Sequence, residues 1–216
     1  MELIYEDRFL FVCLKPPQLL SEQTPEGDSV ADLLAARNGG YIGVVHRLDR
    51  GVGGVMVYAR TPEAAAVLSE AIRENRFGKE YLAVVHGRPM PETGEMRDLL
   101  FHDPKCNKTF VADRIRNGVK EAILQYSVMG GTEPEELTLV RIRLLTGRTH
   151  QIRVQFASRG HALYGDGKYG AHDRSDIALY CSVLTFPHPH TGKMLRFECF
   201  PTGEVWNRFD GLQKSE

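Results

Sequence analysis

The sequence has few of the features that mark metal, redox or membrane proteins. Its four cysteines lie far apart, so no Cys-x-x-Cys pair is present to bind zinc or to exchange disulfides, and we expect reduced, unpaired thiols. No apolar run approaches the roughly 20 residues that span a bilayer, and the N-terminal segment carries acidic residues where a secretion signal carries positive charge. We therefore expect a cytoplasmic protein without a membrane anchor.

Several common catalytic motifs are also missing. The sequence contains no His-Glu-x-x-His, no Gly-x-Ser-x-Gly, no Walker loop and no Gly-x-Gly-x-x-Gly that opens a helix. These absences disfavour zinc peptidases, serine hydrolases, nucleoside triphosphatases and dinucleotide enzymes. His46, Asp49 and His150, or His188 with His190, are too sparse a set of metal ligands without paired cysteines or a carboxylate array. We expect no catalytic metal.

Length and charge distribution suggest one domain and an anionic partner. The 216 residues, 42% hydrophobic and 25% charged, fit a single globular domain, 1–216, with room for two subdomains. The net charge of −1 argues against nucleic acid. However, residues 1–40 carry three Lys/Arg against seven Asp/Glu, whereas 105–120 carry five against one and 141–170 six against one. This distribution predicts a basic face for RNA or another polyanion.

The hydrophobic pattern favours an α+β fold with a mixed, mainly antiparallel β-sheet core and flanking helices. We predict helices at 30–37, after the capping pair Asp28-Ser29, at 61–75, after Thr61-Pro62, and at 149–159. Strands are predicted at 3–5, 9–14, 52–58, 80–86, 122–129, 137–145, 177–186 and 194–200. Residues 88–95 and 130–136 read as surface loops, and either is a possible hinge between subdomains.

The first chemical candidate is His46-Arg47-Leu48-Asp49-Arg50, which precedes Gly51, Gly53 and Gly54. Flanking arginines keep an aspartate ionised even when it is partly desolvated, and such a carboxylate serves as a nucleophile or a base. The alternative is a surface ion-pair cluster in a loop. The glycines favour the functional reading because they permit close approaches of the backbone that a solvated loop does not need.

The second candidate is the segment 144–153, in which a strand ends, Thr146-Gly147 turn the chain, and a helix begins. Arg148 and the amides of the helix start suit a phosphate, and Arg153 would supply a counter-charge if it faced Asp49. The alternative is a basic, solvated helix start. Downstream, 160–170 contains Tyr164, Asp166 and Tyr169 among closely spaced glycines, which predicts tight packing beside a cleft.

The third candidate is Tyr81, which follows Lys79-Glu80 and begins an apolar strand. A tyrosine at a strand end that faces a cleft can stack on a base and offer its hydroxyl as a donor or an acceptor. A tyrosine in a strand is more often part of the core, so this residue is weak evidence by itself.

In order and spacing, these segments resemble the RluA-type pseudouridine synthases, from Tyr5 to about Phe200. The resemblance rests on the hairpin that ends in Lys15-Pro16, on 46–49, on 79–81, and on 147–153 with the glycine-rich segment that follows. It implies the pseudouridine synthase fold with a central catalytic cleft. It also implies that Asp49 is the catalytic aspartate, that Tyr81 stacks on the target base and is a candidate for proton transfer, and that Arg153 pairs with Asp49.

The implied activity is the isomerisation of uridine to pseudouridine in structured rRNA or tRNA, without a cofactor and without an obligate protein partner. The reaction requires a flipped-out uridine, so unpaired or weakly paired targets are favoured. Ile152 would wall the pocket, and the stretch 105–120 would form a protruding loop or hairpin that grips the RNA. The side chains expected to bind substrate are His46, Arg47, Arg148, His150, Gln151, Ile152, Lys105 and Lys108.

The sequence departs from the family pattern at three places. Val52-Gly53-Gly54 replace the usual Thr-Ser-Gly after the aspartate, Gln155 stands where histidine is common, and Ala162 where proline is usual. The catalytic hairpin begins at Leu3, so we expect no S4 RNA-binding domain and RNA affinity from the catalytic domain alone. The alternatives are a non-catalytic RNA-binding or RNA-folding protein on the same scaffold and, more distantly, a carbohydrate lyase or isomerase.

Overall fold

The computed structural model describes residues 1–25, 27–132 and 136–209. Short strands predominate, with three α-helices among them. In chain order the elements are β1 (Glu2–Glu6), β2 (Leu10–Lys15), α1 (Val30–Asn38), β3 (Gly43–Val44), β4 (Gly53–Ala59), α2 (Pro62–Arg73), β5 (Gly78–His86), β6 (Thr93–Asp103), β7 (Lys108–Ala112), β8 (Val119–Gly131), β9 (Leu137–Leu144), α3 (Gln151–Ala157), β10 (Leu179–Pro187) and β11 (Met194–Glu198). Short 3₁₀ helices span Gly167–Tyr169 and Trp206–Arg208.

The chain divides into two compact units. The first unit combines Met1–Lys79 with Tyr180–Pro201, so it is built from two separate stretches of sequence. The second unit comprises Glu80–Leu179 and the segment that begins at Thr202. Asp49 therefore belongs to the first unit, whereas Tyr81 and Arg153 belong to the second.

The first unit contains a mixed sheet in the order β1-β2-β4-β10, with β11 paired to β10 and β3 to β4. All of these pairs are antiparallel except β4 with β10, which run parallel with Gly53 opposite Tyr180. β4 and the first four residues of β2 are fully buried, because apolar side chains on both faces of these strands are covered. They form the core of this unit.

The helices of the first unit begin and end at the predicted signals. Ser29 caps α1 in a capping box with Asp32, and Gly39 ends this helix in the left-handed conformation, with φ of 73°. Thr61 accepts a hydrogen bond from Ala64 N at the start of α2, where Pro62 occupies the first turn. Both predicted helices are confirmed.

The second unit contains an antiparallel sheet in the order β5-β9-β8-β6-β7, and α3 contacts β6 and β7. The strand β6 was not predicted. It begins at Thr93, so residues 93–95 of the surface loop predicted at 88–95 belong to a strand instead. Gly130 and Gly131 belong to β8, and residues 133–135 of the other predicted loop lie outside the described residues. The prediction of an α+β fold with a mixed, mainly antiparallel sheet is confirmed.

α3 is shorter than predicted because it begins after His150, which has a left-handed backbone with φ of 53°. The helix ends at Ala157 and is buried on most sides, with Ile152, Val154 and Phe156 among its buried residues. Within the described part of the chain, no helix has the length and apolar character needed to cross a membrane.

Candidate active site

Asp49 lies on the loop between β3 and β4, and the backbone of both adjacent residues is held by hydrogen bonds. Ser21 Oγ accepts from Leu48 N at 3.1 Å and donates to Leu48 O at 2.9 Å. Arg50 O accepts from Gln18 N at 2.7 Å. The Asp49 side chain is half-buried. Its direction is therefore set by a backbone that is fixed on both sides.

The glycines after Asp49 allow the chain to pass close to β10. Val52 N donates to Asp49 O at 3.0 Å, which closes a tight turn. Gly54 has φ of +130°, and a Cβ atom there would lie 2.4 Å from Cys181 O. No other residue fits this position without a shift of the backbone. The expected close approach of the backbone at these glycines is confirmed.

Lys15 is a buried cation of the first unit whose charge interacts with that of Asp49. It is 1% exposed, and its Nζ donates to Pro16 O at 3.0 Å and to Arg50 O at 3.2 Å. Burial lowers the pKa of Lys15 to about 8, and the charge of Asp49 partly opposes this shift. Lys15 thus joins the end of β2 to the loop that carries the carboxylate.

His46 and Arg47 do not share one role, although both were predicted to bind substrate. His46 is 6% exposed, and its Nε2 accepts from Val57 N at 3.1 Å, so it fastens the loop to β4. Burial, with the nearby charge of Lys79 adding to it, holds the pKa of His46 well below its ordinary value. Contact of His46 with substrate stays a prediction. Arg47 is exposed and pairs with Glu22 at 2.7 Å.

Tyr81 lies in β5 opposite Ile142 of β9, and 5% of its surface is exposed. The strand assignment is confirmed. This degree of burial fits both a core residue and a residue whose ring lines an enclosed pocket. Stacking of Tyr81 on a target base stays a prediction.

Arg153 projects from α3 and forms a two-point ion pair with Asp166. Its Nε and Nη2 donate to the two carboxylate oxygens, each at 2.7 Å, and the side chains are 12% and 1% exposed. The Tyr169 ring centroid lies 5.1 Å from the guanidinium carbon. The cation is therefore balanced by a charge and held against a ring. The pairing of Arg153 with Asp49, implied by the family resemblance, stays a prediction.

Gln151 and Arg148 hold the turn that precedes α3. Gln151 Oε1 accepts from Thr146 Oγ1 at 2.9 Å and from Arg148 N at 3.0 Å, and its Nε2 donates to Ile123 O at 3.1 Å. Arg148 Nε donates to Glu121 O at 2.8 Å, although the residue as a whole is exposed. These bonds hold the Gln151 amide in the turn, and its contact with substrate stays a prediction.

His150 and Ile152 are buried, with 7% and 4% of their surfaces exposed. His150 Nδ1 lies 2.9 Å from the Tyr169 hydroxyl. α3 has seven residues, and the amides of Arg148 and Gln151 are bonded within the turn. Phosphate binding by Arg148 at the helix start stays a prediction. Ile152 as a wall of the pocket stays a prediction.

The basic stretch 105–120 includes the turn of the β6–β7 hairpin, residues 93–112. The two strands pair from Leu99 opposite Ala112 to Asp103 opposite Lys108, so the predicted hairpin is confirmed. Lys105 lies in the turn and is exposed. Lys108 is half-buried, with its Nζ 5.3 Å from the Tyr169 ring centroid. Contact of either lysine with RNA stays a prediction.

Sequence reasoning missed the roles of Lys15 and Asp166. A lysine at the end of a buried strand, directly before Pro16, signals a charge that must find carbonyl partners at the strand end. Asp166 stands between two glycines in a turn-rich segment, and no spacing in the sequence points to its partner. Among the described residues, no group of three or more His, Cys, Asp or Glu side chains is arranged to hold a metal ion.

The chain belongs to the RNA pseudouridylate synthase family, whose model matches residues 9–158. It is 32% identical to an RNA pseudouridine synthase of Aquifex aeolicus, over 92% of this chain and 68% of the relative. It is 33% identical to the ribosomal large subunit pseudouridine synthase D of Vibrio parahaemolyticus, over 99% and 71%. It is 30% identical to the dual-specificity RNA pseudouridine synthase RluA of Haemophilus influenzae, over 91% of both chains.

Solved structures show the same fold. Human RNA Pseudouridylate Synthase Domain Containing 1 aligns with a TM-score of 0.77 at 22% identity, covering 92% of this chain and 82% of the human chain. Human RNA Pseudouridylate Synthase Domain Containing 4 aligns with a TM-score of 0.76 at 22% identity, covering 96% and 90%. The protein is thus an isomerase of the RNA pseudouridine synthase family.

Proposed function

We propose that this protein converts specific uridines of rRNA or tRNA into pseudouridine, with Asp49 as the catalytic carboxylate. Family membership and the placement of Asp49 on a loop anchored at Leu48 and Arg50 carry this proposal. Two relatives are named for the ribosomal large subunit and for dual specificity, which supports a structured RNA substrate. Cytoplasmic localisation stays a prediction.

The reaction needs little beyond these groups. The N1–C1′ glycosidic bond breaks, the detached uracil turns over, and C5 forms a bond with C1′. The C5 proton then leaves to solvent, and N1 gains a proton, so no redox change or imported group is required. The residues of the site provide charge and confinement for this rearrangement. We therefore assign no cofactor to the enzyme.

We assign Tyr81 and Arg153 to the same uridine as Asp49, with the two units acting as one catalytic domain. The Tyr81 ring would stack on the uracil, and Ile152 would confine it. A guanidinium has five N–H donors, so the pairing of Arg153 with Asp166 does not exhaust it. We keep the interaction of Arg153 with Asp49 or with the substrate as part of the proposal.

Access of Asp49 to the ribose requires the target nucleotide to leave its stack, at a cost of a few kcal/mol that is smallest for unpaired bases. We propose that the β6–β7 hairpin holds the RNA during this step. Its turn carries the exposed Lys105, and the exposed Arg114 and Arg116 follow β7 in the chain. The charge of these side chains complements RNA phosphates.

The test is tritium release from RNA labelled at uracil C5. Wild-type protein should release label from an rRNA or tRNA pool, and Asp49→Asn should lower the rate at least about a thousandfold. Asp28→Asn is the matched control, because Asp28 is an exposed aspartate of the same unit. RNA binding and the melting temperature should be unchanged in both variants.

Two results would reject the proposal. Salt-sensitive RNA binding by a wild-type protein that releases no label from any pool would indicate a non-catalytic binder. Activity on free uridine or on a sugar phosphate, without any response to RNA, would indicate a small-molecule lyase or isomerase. If activity is found, mapping pseudouridine in total RNA from a deletion strain and from its parent identifies the modified position.

A further inference from the structure

One short turn supplies two groups that contact the Arg153 guanidinium. Asp166 precedes the 3₁₀ helix Gly167–Tyr169, and Tyr169 N donates to Asp166 O at 3.0 Å. The Asp166 carboxylate binds Nε and Nη2 of Arg153, while the Tyr169 ring lies 5.1 Å from the guanidinium carbon. A two-point ion pair directs the guanidinium towards the carboxylate, and the nearby ring restricts its tilt.

Tyr169 is itself held at several points. Its hydroxyl accepts from Thr109 N at 2.8 Å and lies 2.9 Å from His150 Nδ1. Its ring packs against the buried cluster of Leu100, Ala122 and Val154. Burial raises the pKa of the Tyr169 hydroxyl, so the phenol is neutral at physiological pH and its O–H can donate to His150. The ring thus has a defined position against which the guanidinium rests.

The same tyrosine connects Arg153 with the β6–β7 hairpin. Thr109 and Lys108 belong to β7, and the Lys108 ammonium lies 5.3 Å from the ring centroid. Thr109 Oγ1 also donates to Thr149 O at 2.9 Å, and Thr149 lies two residues before the start of α3 at Gln151. Lys168 Nζ donates to Asn107 O, again at 2.9 Å. The hairpin is therefore fastened to the turn that carries Asp166 and Tyr169.

We propose that Tyr169 is a positioning residue for Arg153, and that it links the RNA-holding hairpin to this guanidinium. The inference rests on the proposed function, because it assigns Arg153 to the reacting uridine. The Tyr169 ring acts on the reaction only through Arg153. The Tyr169 hydroxyl fixes the position of the ring relative to the hairpin through its hydrogen bond with Thr109 N.

The test is a single-turnover measurement of tritium release at saturating RNA. Tyr169→Leu removes the ring, and we expect a rate loss of about a hundredfold, the usual effect of a small misplacement of a catalytic group. Tyr169→Phe keeps the ring, so its rate should fall only a few-fold, while its affinity for RNA weakens slightly. Tyr164→Phe is the control, because Tyr164 lies in the same segment but stacks on His86.

A double-mutant cycle separates positioning from a general structural role. If the ring acts through Arg153, Tyr169→Leu should add nothing to the rate loss of Arg153→Ala. A multiplied loss in the double variant would overturn the inference, as would a Tyr169→Leu rate within about threefold of wild type. A general loss of structure would lower the melting temperature and reduce the rate in the Arg153→Ala background as well.

A nuclear magnetic resonance measurement on the wild type tests the same contact without requiring activity. The ring current of Tyr169 should displace the Arg153 Nε–H signal, assigned by its loss in Arg153→Lys. A signal at an ordinary position would overturn the inference directly. If the signal is displaced but the wild type releases no tritium, the proposed function fails and the catalytic role of Tyr169 with it. If the wild type is active but the rate losses of Tyr169→Leu and Arg153→Ala multiply, this inference is rejected and the proposed function stands.

Discussion

The hydrogen bonds described around the two charged groups that we assign to the reaction differ in kind. Asp49 is held through its backbone, because the hydrogen bonds of its loop belong to Leu48 and Arg50. Arg153 is held through its side chain, by the carboxylate of Asp166 and the ring of Tyr169. The backbone hydrogen bonds beside Asp49 join uncharged groups, whereas the ion pair of Arg153 requires the buried carboxylate of Asp166.

This difference predicts different sensitivities to mutation. A buried charge that loses its partner is strongly destabilised, while a buried backbone group that loses one neutral partner costs less. A change near Arg153 should therefore affect both stability and rate. A change near Asp49 should affect the rate with a smaller loss of stability.

The largest effect is expected for Asp166→Asn. It removes the carboxylate charge that binds the Arg153 guanidinium at two points, so unfolding should require about 3 to 5 kcal/mol less free energy, measured by urea denaturation. The tritium-release rate should fall with it. Glu22→Gln is the control, because Glu22 and Arg47 are 55% and 61% exposed and such pairs contribute at most about 1 kcal/mol. Equal losses in the two variants would contradict the comparison.

The next effect concerns Lys15 and pH. The pKa of Lys15 is about 8 in the folded protein and 10.5 ordinarily, so between these values the unfolded chain binds the additional proton. The contribution of Lys15 to the free energy of unfolding should therefore rise by about 3 kcal/mol as the pH increases from about 8 to 10.5. Below pH 8 the folded protein bears the full cost of the buried ammonium.

Lys15→Met should remove this rise, so the difference between the wild-type and variant unfolding curves measures it. The comparison cancels the other groups that titrate above pH 8. Lys193→Met, at an exposed lysine of the same unit, should leave the pH dependence unchanged. If the unfolding free energies of Lys15→Met and wild type change in parallel from pH 7 to 10, burial does not lower the pKa of Lys15. The variant should also release tritium more slowly, because it lacks the cation next to Asp49.

A smaller effect is expected for Ser21→Ala. The change leaves the amide and the carbonyl of Leu48 without their partner, which should cost about 2 kcal/mol of stability. The rate should fall about tenfold because Asp49 follows Leu48 directly, a loss equivalent to 1.4 kcal/mol in the barrier. Ser175→Ala, at an exposed serine, is the control. A normal rate in Ser21→Ala would show that the Asp49 loop does not depend on this anchor.

The smallest effect is expected for Lys105→Ala. Lys105 is exposed in the hairpin turn, so its removal should leave the melting temperature unchanged and weaken RNA binding a few-fold. The slope of log affinity against log salt should decrease by about 1, as for the loss of one phosphate contact. Lys193→Ala should change neither quantity. Lys108 is less suitable, because its contact with Tyr169 mixes binding with positioning.

The elements with local signals could be predicted from the sequence. Ser29, Thr61 with Pro62, and Gly39 determine helix ends through bonds to nearby residues, and the structure places both helices there. β6 escaped prediction because its side chains are mostly polar or half-buried, so no clear alternation of apolar residues appears. α3 begins late because the backbone of His150 is left-handed, which the residue type does not indicate.

The residues of the candidate site also differ in how far the sequence could indicate them. Asp49 and Arg153 stand in recognisable motifs, so the sequence indicated them. The buried roles of His46 and Gln151 depend on partners far along the chain or on the geometry of a turn, and their residue types equally suit substrate binding. The pairing of Arg153 with Asp166 has no signal in residue spacing, because it forms only when α3 and the following turn pack together.

The first unit is assembled from the beginning of the chain and from Tyr180–Pro201, and this order matters during synthesis on the ribosome. β4 has its parallel neighbour only after β10 has emerged, whereas the sheet of the second unit is encoded in between. Domains tend to fold as they are made. The nascent chain can thus build the Arg153 turn before Tyr180–Pro201 emerges and completes the unit that bears Asp49.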